Sequence, residues 1–182
     1  MSIVTKKGDK GETSLFGSGE KLSKSNLIFS IIGTIDEVSS HLGLAVSLID
    51  PKLPHKNIFK NKIEQVQKSL FELGSMFAGA KISVPNGVTA KYEKEIHVWQ
   101  KTMPERKNFI FPGGSATSAE LFIARSVVRR LEREIVAFSK IQNVKPGNLV
   151  FINRLSDYLY VLARYINFSL KVREKAWRGK TF

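Results

Sequence analysis

The 182 residues carry 29 Lys and Arg against 16 Asp and Glu, a formal charge of +13, and 42% of them are apolar, enough for one core without disulfide or metal staples. With no cysteine in the chain, disulfides, thiolate metal sites and a cysteine nucleophile are excluded. A field of that sign attracts polyanions such as nucleic acid, acidic membrane surfaces or nucleotide phosphates, and charge alone does not choose among them.

The opening MSIVTKKGDK has no apolar core of signal-peptide type, and no apolar run reaches the roughly 20 residues of a membrane span, which reads as a soluble cytoplasmic chain. The next stretch, TKKGDKGETSLFGSGEK from Thr5 to Lys21, combines glycines, lysines and paired hydroxyls in the manner of a phosphate cradle. It matches neither G-x-x-x-x-G-K-[ST] nor G-x-G-x-x-G. Residues 1–26 are too polar to order themselves, so a ligand or a neighbouring subunit is expected to hold them.

Beyond that loop the apolar spacing is helical. The first helix is predicted over Ile28 to Ile49, ending at Asp50-Pro51, and the second from near Asn57 to Ala80, with Ile63, Val66, Leu70, Leu73 and Phe77 on one side. Lys52, Lys56, Lys60, Lys62 and Lys68 read as a solvated face. A shorter third helix runs from Val88 to Met103, and Pro54, Pro85-Asn86-Gly87 and Pro104 are the breakers. Pro112-Gly113-Gly114 leads into a fourth helix, capped by Ser115 or Thr117 and ending near Lys140. Its entry reads as a plain turn, with anion binding at the helix N-terminus as the alternative. The fifth begins at about Pro146 and continues past Tyr165. No period-2 alternation of useful length is present, so an all-α bundle of five helices is expected over residues 27–182, forming with the loop a single domain.

Polar residues interrupt this greasy pattern in two places. At about 100° per residue, Arg125, Arg129 and Arg133 fall within an arc of about 80° on the fourth helix, beside Glu132. On the fifth, Asn153, Asp157, Tyr160 and Arg164 form a narrow polar stripe, which suits either a register-fixing network or a site wall. Asp36 and Glu37 on the first helix are carboxylates placed to meet an arginine of a facing helix or subunit. The histidines, His41, His55 and His97, lack the Glu-x-x-His spacing of di-iron bundles, and no metal site is expected.

Five blocks in order carry a resemblance: Thr5 to Leu15 (TKKGDKGETSL), Gly33-Thr34-Ile35-Asp36-Glu37, Phe109 to Gly114 (FIFPGG), Ala124 to Arg133 (ARSVVRRLER) and Asn153 to Leu159 (NRLSDYL). Together they resemble the PduO-type ATP:corrinoid adenosyltransferases across nearly the whole chain. The resemblance implies a trimeric five-helix bundle with active sites between subunits and an N-terminal loop wrapped around ATP. Thr5, Lys6, Lys7, Gly8, Thr13, Ser14 and Lys24 would contact the nucleotide from that loop. From the arginine block and the last helix of an adjacent subunit, Arg129, Arg130, Leu131, Glu132, Arg133 and Asn153 would complete the site. Asp36 and Arg125 match an intersubunit ion pair. Phe109 matches an aromatic under the corrin ring, where it excludes the lower axial ligand and makes four-coordinate Co(II) easier to reduce.

The implied reaction is attack of a cob(I)alamin cobalt on C5′ of ATP, assisted by Mg²⁺, with inorganic triphosphate leaving. A corrinoid reductase and an adenosylcobalamin-dependent acceptor enzyme are the implied partners, with neither nucleic acid nor membrane. The segment Asn26 to Ile32 lacks the Asp-Pro-Arg and Tyr that often precede the first helix in the family, and Lys171 to Phe182 is unusually basic, with Trp177 and Phe182 as candidate lids on the corrin. A basic helical nucleic-acid-binding module and a trimeric scaffold without turnover are the competing readings.

Overall fold

The computed structural model describes residues 4, 6, 8–17, 19–105 and 108–177. Five helices follow one another as α1 (Leu27–Ser47), α2 (Lys56–Phe77), α3 (Val88–Thr102), α4 (Ala116–Phe138) and α5 (Pro146–Ser169). They pack in the spatial order α2, α1, α4, α5, α3. Side chains close the ring, since Phe59 of α2 meets Tyr165 of α5 and Lys62 of α2 bonds Glu95 of α3 at 2.7 Å. Lys62 also lies over the Trp99 ring, so this lysine leaves the solvated face expected of it and serves as an α2–α3 brace.

The core is a single stripe per helix: Ile31, Ile35, Val38 and Leu42 from α1, Ile63, Val66, Leu70 and Leu73 from α2, Leu121, Val128, Leu131 and Ile135 from α4, Ile152, Leu155, Leu159 and Leu162 from α5. Helix α3 contributes only Tyr92 and Trp99, and they stack on α5, Tyr92 on Tyr158 at 4.2 Å and Trp99 on Tyr165 at 5.5 Å. Among the described residues α1 alone is long and apolar enough to cross a membrane by length and composition, although Asp36 and Glu37 interrupt its apolar run. Its buried side is spent inside the bundle, between α2 and α4.

Helix ends follow local chemistry. Asn26 caps α1 by accepting from the Ile28 N–H at 3.1 Å. Of the two candidates at the start of α4, Ser115 is the cap, accepting from the Ser118 N–H at 3.2 Å. Thr117 is instead buried and donates to Leu48 O at 2.6 Å, tying α4 to the end of α1. Helix α2 stops at Phe77, short of the predicted Ala80, because Gly79 turns left-handed at φ 98°.

One element departs from the all-α expectation. Strands β1 (Glu12–Ser14) and β2 (Lys21–Ser23) form an antiparallel hairpin, with Thr13 opposite Leu22. Its anchors lie within the chain. The Phe16 N–H donates to Ala78 O at 2.9 Å, at the end of α2, and the Lys24 N–H donates to Gly11 O at 2.9 Å. Backbone hydrogen bonds thus do part of the ordering that composition assigned to a ligand or neighbour.

A candidate nucleotide and corrin site

Three surfaces carry the site residues read from the sequence. In the loop, Lys24 folds back so that Nζ donates to Gly8 O at 2.8 Å, which brings the two ends of the hairpin carrying Thr13 and Ser14 together. A side chain at position 8 would meet that ammonium at 2.9 Å, so the glycine lets lysine and backbone close together. Lys6 is exposed, and Thr5 and Lys7 lie outside the described residues.

On α4 and α5 the two polar stripes meet. Asn153 Nδ2 donates to Glu132 Oε1 at 2.8 Å, which sets the rotamer of both residues. Arg133 Nη1 returns to the carbonyl of Arg129 at 2.9 Å, and Arg130 pairs with Glu37 of α1. Arg129 is exposed, with no carboxylate partner among the described residues. Leu131 is a correction: its side chain is fully buried in the core, so it braces the stripe from behind and does not reach a ligand.

Arg125 stands one turn toward the start of α4, with its guanidinium 5.3 Å from the Tyr160 ring. Burial, then the neighbouring Arg129, hold its pKa below the usual arginine value, against the opposing pull of Tyr160 and Asp157. A cation so placed favours an added anion. Asp36 does not supply it within the chain, because among the described residues no ion pair joins the two. It is exposed and lines a shallow groove of 370 Å³ between α1 and α2, walled by Ile32, Ile35, Phe71 and Ala78. The polar stripe of α5 divides along its length: Asn153 and Asp157 are exposed, whereas Arg164 is buried and bound to Glu174.

The third surface lies at the start of α4. Phe109 is 80% exposed, which excludes a place in the core, and Trp177, 49% exposed, meets it edge to face at 6.5 Å. Behind them the glycine turn is a clamp. Asn167 of α5 accepts from the Ser115 N–H at 2.9 Å and donates to Gly113 O at 2.8 Å. The Pro112-Gly113-Gly114 segment is therefore a turn fastened to α5. A larger hollow of 770 Å³ at this end is lined by Asp50, Lys52, Ser115 and Lys171, none of which is among the nucleotide or corrin residues read from the sequence. Sequence reasoning passed over Asn167 and Glu174; a polar residue inside the apolar face of α5 was the available signal for the first.

A family model described as cobalamin adenosyltransferase matches residues 3–166, almost the whole chain. The protein belongs to that family. This adenosyltransferase is 35% identical over 171 residues to the corrinoid adenosyltransferase of Bacillus subtilis, covering 92% of this chain and 87% of that one. It is 33% identical over 186 residues to the corrinoid adenosyltransferase MMAB of Mus musculus, covering 97% and 77%. Among solved structures it is similar to a variant PduO-type ATP:corrinoid adenosyltransferase from Lactobacillus reuteri complexed with cobalamin and ATP, with TM-score 0.90, 32% identity and 97% of each chain covered. A second variant of that enzyme, complexed with ATP, gives TM-score 0.89 at 32% identity, covering 97% of this adenosyltransferase and all of that chain (100%).

Proposed function

We propose that this adenosyltransferase moves the 5′-deoxyadenosyl group of ATP onto the cobalt of a Co(I) corrinoid and releases inorganic triphosphate, as a cytoplasmic homotrimer. The observation that carries the reading is family membership joined to a likeness in fold, at TM-score 0.90, to an enzyme complexed with both cobalamin and ATP. The step balances as a displacement. The cobalt electron pair forms the Co–C5′ bond, the C5′–O5′ bond breaks, its electron pair leaves on triphosphate, and cobalt goes formally from Co(I) to Co(III). No protein nucleophile is required, because the substrate's own metal attacks.

What the chain supplies is alignment and charge. The hairpin loop, with Lys6, Gly8, Thr13, Ser14 and Lys24, is assigned to the phosphates, together with Thr5 and Lys7. Arg129 and Arg133 are assigned to stabilise charge gathering on the leaving triphosphate, and Arg130, tied to Glu37, to hold the edge of the stripe. Glu132 and Asn153 are assigned to the nucleoside as a hydrogen-bonded pair. Mg²⁺ is assigned to the triphosphate, whose charge it would help to neutralise. Phe109 is assigned to the corrin face.

A trimer would give a use to two features: Asp36 at an apolar groove, and Arg125, whose pKa is held down by burial and by Arg129 so that a further anion would be favoured. Pairing them between subunits would satisfy both. Asp36→Asn is therefore expected to weaken ATP binding or assembly by about tenfold; sedimentation and nucleotide titration that both match the parent would remove the ion pair from the proposal. A basic nucleic-acid module explains the charge less well, since Glu37, Glu132 and Asp157 are interleaved with the arginines, where phosphate backbone would be repelled. The direct test mixes pure protein with ATP, Mg²⁺ and chemically reduced cobalamin under anaerobic conditions. The absorption spectrum of the adenosylated product is expected, and ATP binding without that product would leave only a scaffold.

A further inference from the structure

The segment after α5 is fastened to the Phe109 loop by backbone and by charge. Beyond the helix end, where the Val172 N–H donates to Asn167 O at 2.8 Å, the chain runs back antiparallel to residues 109–111. The Phe111 N–H donates to Lys175 O at 2.9 Å, and the Trp177 N–H donates to Phe109 O at 2.7 Å. Glu174 accepts from Arg164 Nε of α5 at 3.1 Å, and the two side chains are only 10% and 8% exposed. Desolvating such a pair is costly, and a strap that merely covered the surface would need no ion pair of this kind. The arrangement reaches further, because Arg164 lies 5.8 Å from the ring of Tyr160, whose other cationic neighbour is Arg125.

We infer that Arg164 and Glu174 are positioning residues that hold the 172–177 strap in register, so that Phe109 and Trp177 stand as one preformed aromatic platform for the face of the corrin. An exposed phenylalanine on a loop is otherwise free to change rotamer, and binding would have to immobilise it. Here its own carbonyl is held by the Trp177 N–H and its ring by the indole edge. The inference rests on the assignment of Phe109 to the corrin and adds the group that fixes it.

Two variants test it without leaving a bare buried charge. Trp177→Pro deletes the N–H and the ring at an exposed position, and Arg164→Met combined with Glu174→Met replaces the ion pair by apolar chains of similar length. Each folded variant is expected to raise the KM for cob(I)alamin about tenfold, with the KM for ATP unchanged, and to lower the four-coordinate fraction seen in the spectrum of cob(II)alamin with ATP. Trp177→Phe, which keeps the N–H and an aromatic ring, is expected to restore most of both. Parent values for the corrinoid KM and the spectrum in both folded variants would overturn the strap's role while Phe109→Ala still impaired them. If Phe109→Ala also left them unchanged, the corrin assignment itself would fall, and the inference with it.

Discussion

Arg129→Ala is expected to cut the rate of adenosylation at least about a hundredfold, on the order of 3 kcal/mol of transition-state stabilisation, with the fold intact. The size follows from what is asked of the residue. Negative charge grows on the triphosphate as C5′–O5′ breaks, and a guanidinium that reaches it in the bound complex would be worth more in the transition state than in the ground state. Safety for the fold follows from its surroundings: the side chain is exposed and has no carboxylate partner among the described residues, and the contact from Arg133 is made to its backbone carbonyl, which alanine keeps. Arg130 would be a poorer probe, since losing it also breaks the contact with Glu37. Arg129→Lys is expected to recover part of the rate, because it restores the charge without the planar fork. Initial rates with reduced cobalamin, alongside thermal melts, decide the matter; near-parent turnover in the alanine variant would take the arginine stripe out of the mechanism.

Gly114→Ala is expected to be the most damaging single methyl addition at the start of α4, lowering stability by about 3 kcal/mol or more. Two causes act together. The backbone there has φ 112°, which side chains other than hydrogen rarely adopt, and an added Cβ would sit 2.3 Å from both polar atoms of the Asn167 amide. The amide must then move, and it gives up its bonds to Gly113 O and the Ser115 N–H in a buried place. Asn167→Ala removes the same bonds without the collision. The double variant is therefore expected to be no less stable than Gly114→Ala alone, the non-additivity that a shared contact produces. Chemical denaturation measures all three, and a parent-like midpoint for Gly114→Ala would refute the clamp.

The fold was largely legible because five helices each show an apolar stripe at helical spacing, and such a stripe survives any detail of tertiary packing. Helix α2 illustrates it: the five apolar positions named on it, Ile63, Val66, Leu70, Leu73 and Phe77, are all buried as read. The hairpin was not legible, since strands of three residues are too short to display a period and their anchor, Ala78, lies more than fifty residues away in a different element. The same limit hid the strap. Nothing local in the sequence says that Glu174 turns inward to Arg164, because that choice depends on where Phe109 to Phe111 lie. The stripe on α5 looked uniform, yet only its outer half faces solvent; the spacing gave the face, and the approach of the strap decided which members were covered. Leu131 shows the converse: it sits between Arg130 and Glu132 in the charged block, yet its helical angle points inward.

The Asn167 clamp joins positions 52 residues apart. On a ribosome, the glycine turn and the N-terminus of α4 would emerge well before the amide that fastens them. Helices α1 and α2 can associate earlier, using contacts already in hand, whereas the end of the molecule bearing Phe109 matures only when α5 has been made and docked. A nascent chain would accordingly expose its N-terminal loop before the turn ahead of α4 is fastened, so the two ends of the molecule would reach their final form at different times.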